Sequence, residues 1–86
     1  MLILSKRFKK NYKKLDLQSQ KLIKKALIQF DTDFSHPSLR MKKMTGYNDL
    51  WEISANMDLR ITFKWEKPNT FIMRNCGHHD DTLRNP

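Results

Sequence analysis

Cysteine, glycine and proline are scarce in this chain: among its 86 residues stand one Cys, two Gly and three Pro. The lone thiol, Cys76, cannot close an internal disulfide and has no ligands at metal-type spacing around it, so a stapled secreted fold is excluded and a reducing, cytoplasmic setting is expected. Long apolar runs are missing too. Met1 to Leu4 is followed at once by Lys6 and Arg7, too short a stretch for a signal peptide or a membrane span. No repeat, linker or low-complexity segment divides the chain, and its length suits a single domain, 1–86, with one modest core. Acidic residues are the last shortage: 9 Asp and Glu face 17 Lys and Arg, a net charge of +8. A surplus of that size points to a polyanionic partner. Nucleic acid fits first, an anionic membrane surface or an acidic protein competes, and a merely solvated basic surface is the plain alternative.

What the chain does contain is clear periodicity. Leu2, Ile3 and Leu4 suit a short strand, and Ser5 can cap a helix in which Phe8, Tyr12 and Leu15 share one face. Six cations and no acid cover the rest of that helix between Lys6 and Lys14. Asp16 can cap a second helix, whose stripe runs through Leu22, Ile23, Ala26, Leu27, Phe30 and Phe34; Asp31 and Asp33 are disfavoured at its C-terminal dipole and mark its end. His36-Pro37-Ser38 is a loop, since proline pushes its predecessor out of the helical region. A strand is predicted next, with Leu39, Met41 and Met44 apolar, then a turn around Gly46, Asn48 and Asp49.

Two period-2 patterns then meet head to head. Trp51, Ile53 and Ala55 alternate with Glu52, Ser54 and Asn56; Leu59, Ile61, Phe63 and Trp65 alternate with Arg60, Thr62 and Lys64. Pairing Ala55 with Leu59, Ile53 with Ile61 and Trp51 with Phe63 places all apolar side chains on one face of a hairpin, whereas a slip of one residue mixes the faces. The turn around Met57 must form without glycine. Pro68-Asn69 makes the next turn, a last strand runs from Thr70 to Cys76 and closes at Gly77, and the tail from His78 to Pro86 reads as too polar for core. The order β-α-α-β-β-β-β gives an α+β fold: an N-terminal strand, a helical hairpin, and an antiparallel meander in one sheet with helices on one face, the other face free to bind.

On the polar face of that hairpin, Arg60 has the geometry to clamp a phosphate and the charge to stabilise a phosphorane. Glu52 beside it reads either as a general base or as the partner of a neighbouring cation. Two histidines, His78 and His79, precede Asp80 and Asp81. Consecutive positions point apart and no third spaced ligand follows, which speaks against a metal; an imidazole there can instead donate a proton to a leaving oxygen, or simply lie on a surface loop. Arg40, Lys42, Lys43, Lys64 and Arg74 supply further cations, while Trp51, Trp65 and Tyr47 supply rings that could stack on RNA bases. The two tryptophans fit the apolar face better and are assigned mainly to core.

As a set these residues resemble the RelE/ParE superfamily of type II toxins, closest to RelE-, YoeB- and YafQ-like mRNA interferases. The resemblance rests on His36-Pro37-Ser38-Leu39-Arg40 leading to Lys43-Met44-Thr45-Gly46, on Leu50-Trp51-Glu52-Ile53 leading to Leu59-Arg60-Ile61-Thr62-Phe63, and on Gly77-His78-His79-Asp80 near the end. It implies a toxin that enters the ribosomal A site and cleaves mRNA, using the RNA's own 2′-hydroxyl, with no metal or other cofactor, so that translation stops. It also implies an acidic antitoxin that wraps the toxin in a hetero-oligomer, and no membrane. Arg60 matches the arginine that stabilises the transition state in such toxins, and His79, second after Gly77, matches the histidine acid of YoeB- and YafQ-like members. Asp58 resembles the turn acid of YafQ-like members; Asp80, Arg40, Lys43, Lys64 and Arg74 join it as candidate RNA contacts. Where some members carry a Glu base four residues before the Gly, this chain has Lys42, and Ser54 stands where YafQ-like toxins have another His. Lys42, Lys43 and Glu52 are therefore all candidates for the base, a lysine needing a lowered pKa to serve. A ParE-like gyrase inhibitor and a non-catalytic basic RNA-binding module are the competing readings.

Overall fold

A computed structural model covers the whole chain, Met1 to Pro86. Its elements are β1 (Leu2–Leu4), α1 (Lys6–Lys14), α2 (Leu17–Thr32), a 3-10 turn (Pro37–Leu39), β2 (Lys42–Lys43), β3 (Leu50–Ser54), β4 (Leu59–Glu66), β5 (Thr70–His78) and α3 (His79–Arg84). Both expected caps are made. Ser5 Oγ accepts from the Phe8 N–H at 3.1 Å, and the Asp16 carboxylate accepts from the Ser19 N–H at 3.3 Å, each satisfying an N–H that a helix start leaves free. α2 stops at Thr32, where Asp31 and Asp33 oppose the dipole.

The five strands form one sheet in the order β1-β5-β4-β3-β2. β1 returns to lie parallel to β5, with Leu2, Ile3 and Leu4 opposite Phe71, Ile72 and Met73, so the sheet is mixed; all other pairs are antiparallel. The β3–β4 register is the one that alternation requires. Trp51 lies opposite Phe63, Glu52 opposite Thr62, Ile53 opposite Ile61 and Ser54 opposite Arg60. The turn does without glycine because Asn56 Oδ1 accepts from the N–H groups of Asp58 at 2.9 Å and Leu59 at 2.6 Å, an Asx turn.

The apolar face of this sheet packs on the helices. Phe8, Ile23, Ala26 and Phe30 from the helices meet Ile53, Leu59, Ile61, Phe63, Phe71 and Met73 from the strands. Phe30 sits edge-on to Phe63 and Phe71, with ring centroids 5.0 and 4.8 Å away. Trp51 and Trp65 pack against this core, as their positions on the apolar face require. Cys76 is buried in the same cluster, and burial pushes its thiol up to about 12, far from the range of a reactive thiolate.

Three local expectations need correction. Leu39 does not begin a strand: it ends the 3-10 turn, and Arg40 follows in the left-handed region at φ 49°, so β2 shrinks to Lys42–Lys43. The polar tail is not a loose end. It folds as α3, with Thr82 buried and with the Asn85 and Pro86 carbonyls accepting from Asn75 Nδ2 at 2.8 Å and Arg7 Nη2 at 2.6 Å. Hydrogen bonds to main-chain carbonyls hold this segment, and hydropathy does not register them. Third, helices are not confined to one face. By pleat alternation Gly77 presents itself on the face of Arg60, and a Cβ there would meet Thr82 Oγ1 at 3.0 Å, so α3 closes that end of the otherwise helix-free face.

Candidate active site

Alternation sorts the chemistry-bearing residues into rows on the face away from the core. One row runs Lys42, Glu52, Thr62, Asn75 across β2 to β5; the next runs Ser54, Arg60, Gly77. Lys64 stands one row further from the turn, between Leu50 and Ile72. Lys42, Glu52, Arg60 and Lys64 are thus brought together. Lys43 is not: it pairs with Trp51 and shares the opposite face. Arg74 also stands apart. It is the extra residue of the bulge that opens β5 between the partners of Thr62 and Phe63, its Nε lies 3.4 Å from the Pro86 carbonyl, and its own carbonyl accepts from Ser5 and Arg7. Arg40 caps the 3-10 turn and lines a small hollow of about 200 Å³ with Ser38, Ser54, Asn56 and Met57, adjoining the Arg60 row.

Arg60 is fastened rather than loose. Its Nη1 donates to the carbonyls of Asn56 at 2.8 Å and Leu59 at 3.1 Å, and its Nε lies 3.8 Å from Glu52 Oε1, with only 13% of the side chain exposed. Nη2 makes no hydrogen bond within the chain. The guanidinium is therefore oriented by one edge and keeps donors for a ligand at the other, the arrangement that phosphate recognition needs. Glu52 shows only 7% of its surface, and its carboxylate lies within ion-pair range of Arg60. Between it and Asn75 lies the one buried side-chain atom without a partner, Thr62 Oγ1.

The histidines take different positions. His78 lies opposite Leu59 in the ladder, on the face away from Arg60, and its Nδ1 contacts the Asp58 carboxylate. That bond, before any other influence, holds Asp58 below the usual carboxylate range. His79 opens α3: its N–H donates to the Asp58 carbonyl at 2.6 Å, which ties it to the turn preceding Arg60, and its Nδ1 lies 3.0 Å from Asp80 Oδ1. With the carboxylate on Nδ1, Nε2 of this half-exposed ring has no hydrogen-bond partner within the chain. No three His, Cys, Asp or Glu side chains converge as a metal site would require, and no helix is long and apolar enough to cross a membrane.

Some of these partners were not foreseen from sequence. Asn56 anchors both the turn and Arg60, and its signal was present as an Asx turn two residues before Asp58. The His78–Asp58 pair had no sequence signal, because its members are 20 residues apart and meet only through the ladder.

No family model matches the sequence, and no curated protein does. Solved structures match over nearly the whole chain. The RelB-RelE antitoxin-toxin complex from Methanococcus jannaschii is 23% identical with a TM-score of 0.72, covering 88% of each chain. YoeB from Staphylococcus aureus, solved as a dimer, is 17% identical at TM-score 0.66, covering 91% of this chain and 94% of that one. The E. coli DinJ-YafQ complex is 15% identical at TM-score 0.68, covering 94% of each. With these coverages and TM-scores, the chain shares the fold of these RelE, YoeB and YafQ structures.

Proposed function

We propose that this chain is the toxin of a type II toxin-antitoxin system, and that it acts as a ribosome-dependent endoribonuclease on mRNA. The observation that carries the reading is Arg60: a guanidinium held at one edge by the Asn56 and Leu59 carbonyls, with free donors at the other, on a sheet face that also gathers Lys42, Glu52 and Lys64. In this reading the 2′-oxygen of the RNA attacks the adjacent phosphorus and the bond from phosphorus to the 5′-oxygen breaks. The products are a 2′,3′-cyclic phosphate and a 5′-hydroxyl. The proton of the 2′-hydroxyl passes to a base, and the departing 5′-oxygen takes one from an acid. Arg60 binds the phosphorane oxygens as their charge grows. His79 is the acid, its ring oriented by the Asp80 carboxylate at Nδ1, which leaves Nε2 to donate. Glu52 and Lys42 face each other across β2 and β3 and are the two candidates for the base; Glu52→Gln and Lys42→Ala separate them.

The +8 charge supports a ribosomal site, where contacts to many phosphates add. It also supports an acidic antitoxin as partner, as does the likeness to a solved antitoxin-toxin complex. The test is expression without antitoxin together with cleavage on programmed ribosomes. Growth arrest with cut mRNA, both relieved by Arg60→Ala or His79→Ala, is the expected outcome. Arrest with intact mRNA moves the target elsewhere, gyrase first, and unchanged toxicity in both variants overturns the roles assigned to these residues.

A further inference from the structure

Two clefts border the sheet. The larger, about 510 Å³ with Lys10 in its wall, lies beside β5 between α1 and α3. The smaller lies on the β2 side, at the end of β3, and adjoins the Arg60 row. It has two parts: the hollow of about 200 Å³ that Arg40 lines, and a second of about 190 Å³ between α2, the 3-10 turn and the end of β3. Ser38 and Ser54 belong to both.

This cleft exists because β2 is cut short. In its register with β3, Lys42 faces Glu52, so residue 40 would face Ser54. Arg40 instead takes the left-handed region at φ 49° and turns the chain away, a conformation that a residue with a Cβ keeps only where its surroundings impose it. Ser54 is left with an open edge. Strand hydrogen bonding alternates sides, and the Ala55 N–H donates to the Leu59 carbonyl, so the N–H and C=O of Ser54 point away from β4 and have no partner within the chain. A free peptide donor and acceptor side by side can pair with the edge of an unstacked base.

The remaining chemistry favours one kind of base. Asn56 Oδ1 is occupied by the turn, which leaves its Nδ2 as a donor. Arg40 is exposed, takes part in none of the chain's ion pairs and brings its guanidinium donors. No acid lines either hollow. A donor-rich wall selects an acceptor-rich edge, and guanine, with O6 and N7 adjacent, is the base that an arginine bonds twice. Apolar surface for the ring is present as well, from Leu22, Ala26 and Leu39 in the second hollow and from Met57, 90% exposed at the turn, in the first.

We propose that this cleft is a nucleobase pocket with a preference for guanine, and that Arg40 is its specificity-determining residue. Arg60 Nη1 donates to the Asn56 carbonyl at 2.8 Å, and Asn56 lines the pocket, so a base held here belongs to a nucleotide bordering the phosphate that Arg60 binds. The pocket rests on the reading above only for the polymer that carries the base.

The experiment titrates the full chain with the 3′,5′-bisphosphates of guanosine, adenosine, cytidine and uridine, which carry a phosphate on either side of the sugar, and follows backbone amides by NMR. The guanosine compound is expected to bind roughly tenfold to a hundredfold more tightly than the two pyrimidine compounds and to shift the amides of Arg40, Ser54 and Met57. Arg40→Met, which keeps a long side chain without donors, is expected to bring guanosine down to the pyrimidine level. Arg40→Gly should do the same, and because glycine suits the left-handed backbone it guards against a variant that fails to fold. Lys21→Gln removes an exposed charge outside the cleft and is expected to change every affinity by less than about threefold. Four compounds bound alike by the native chain overturn the pocket, and so does a guanosine preference whose shifts leave Ser54 untouched. A loss in both Arg40 variants that is equal for all four bases also overturns it and makes Arg40 a plain phosphate cation. Cleavage is scored separately on programmed ribosomes, with codons that differ in one base. A guanosine preference in solution without cleavage keeps the pocket and sinks the nuclease; cleavage without that preference does the reverse.

Discussion

Arg60 on β4 and Lys10 on α1 carry the same charge, yet the chain holds them in different ways. Arg60 is held by the carbonyls of Asn56 in the turn and Leu59 in β4, lies 3.8 Å from the buried Glu52 carboxylate, and shows 13% of its side chain to solvent. Lys10 is exposed on a helix with no acid to pair with. The first arrangement costs desolvation and offers a fixed direction, which chemistry on one phosphorus needs. The second costs little and offers charge without direction, which suits holding a flexible polyanion. A cation's role is thus legible in how tightly its surroundings hold it.

Substitutions can test that contrast, beginning with the strongest. Arg60→Ala should lower cleavage on programmed ribosomes about 10²- to 10³-fold while leaving ribosome binding nearly intact, as removal of one preorganised donor does; a parallel fall in both would make Arg60 another binding cation. Gly77→Ala should cost about 1–3 kcal/mol in denaturant unfolding, because φ there is +150° and the new methyl meets Thr82 Oγ1 at 3.0 Å. Since Gly77 joins the two regions, this variant should disturb α3 and His79 before it disturbs the hairpin, and amide exchange would report which moves. Thr62→Val should stabilise the chain by about 1 kcal/mol, measured by the same unfolding assay, because it removes a buried hydroxyl with no partner. A loss instead would reveal a bound water on the Arg60 face.

The smallest effect concerns pH. His78 lowers the folded pKa of Asp58 beneath its ordinary 3.8, and the Ser19 hydrogen bond does the same for Asp16. A carboxylate lowered on folding contributes stability that is fully present above its unfolded pKa and is lost as pH falls through the folded one. Thermal melts should therefore weaken below about pH 4, and Asp58→Asn should remove part of that dependence without altering the melt near neutrality by as much as Gly77→Ala does.

Much of the fold was open to reading because it depends on period and on local chemistry. Ser5 and Asp16 cap where their side chains reach free N–H groups, and the hairpin register follows from keeping Ile53, Ile61 and Phe63 on one face. The same register aims Arg60, Glu52 and Lys64 to one face. Arg40 was misread because a 3-10 turn ending in a left-handed residue has no periodicity to detect. The tail was misread because carbonyls of Asn85 and Pro86, not apolar side chains, fasten it.

The amino-acid sequence by itself determined the sheet face on which Arg60 stands, the two helix starts and the surplus of positive charge, since alternation, capping and composition act within a few residues. Only the tertiary structure decided which histidine meets Asp58, that Lys42 and not Lys43 shares a face with Arg60, and that a cleft opens beside β5. Those depend on β1 returning parallel to β5 and stopping after three residues, a long-range pairing that no local pattern encodes.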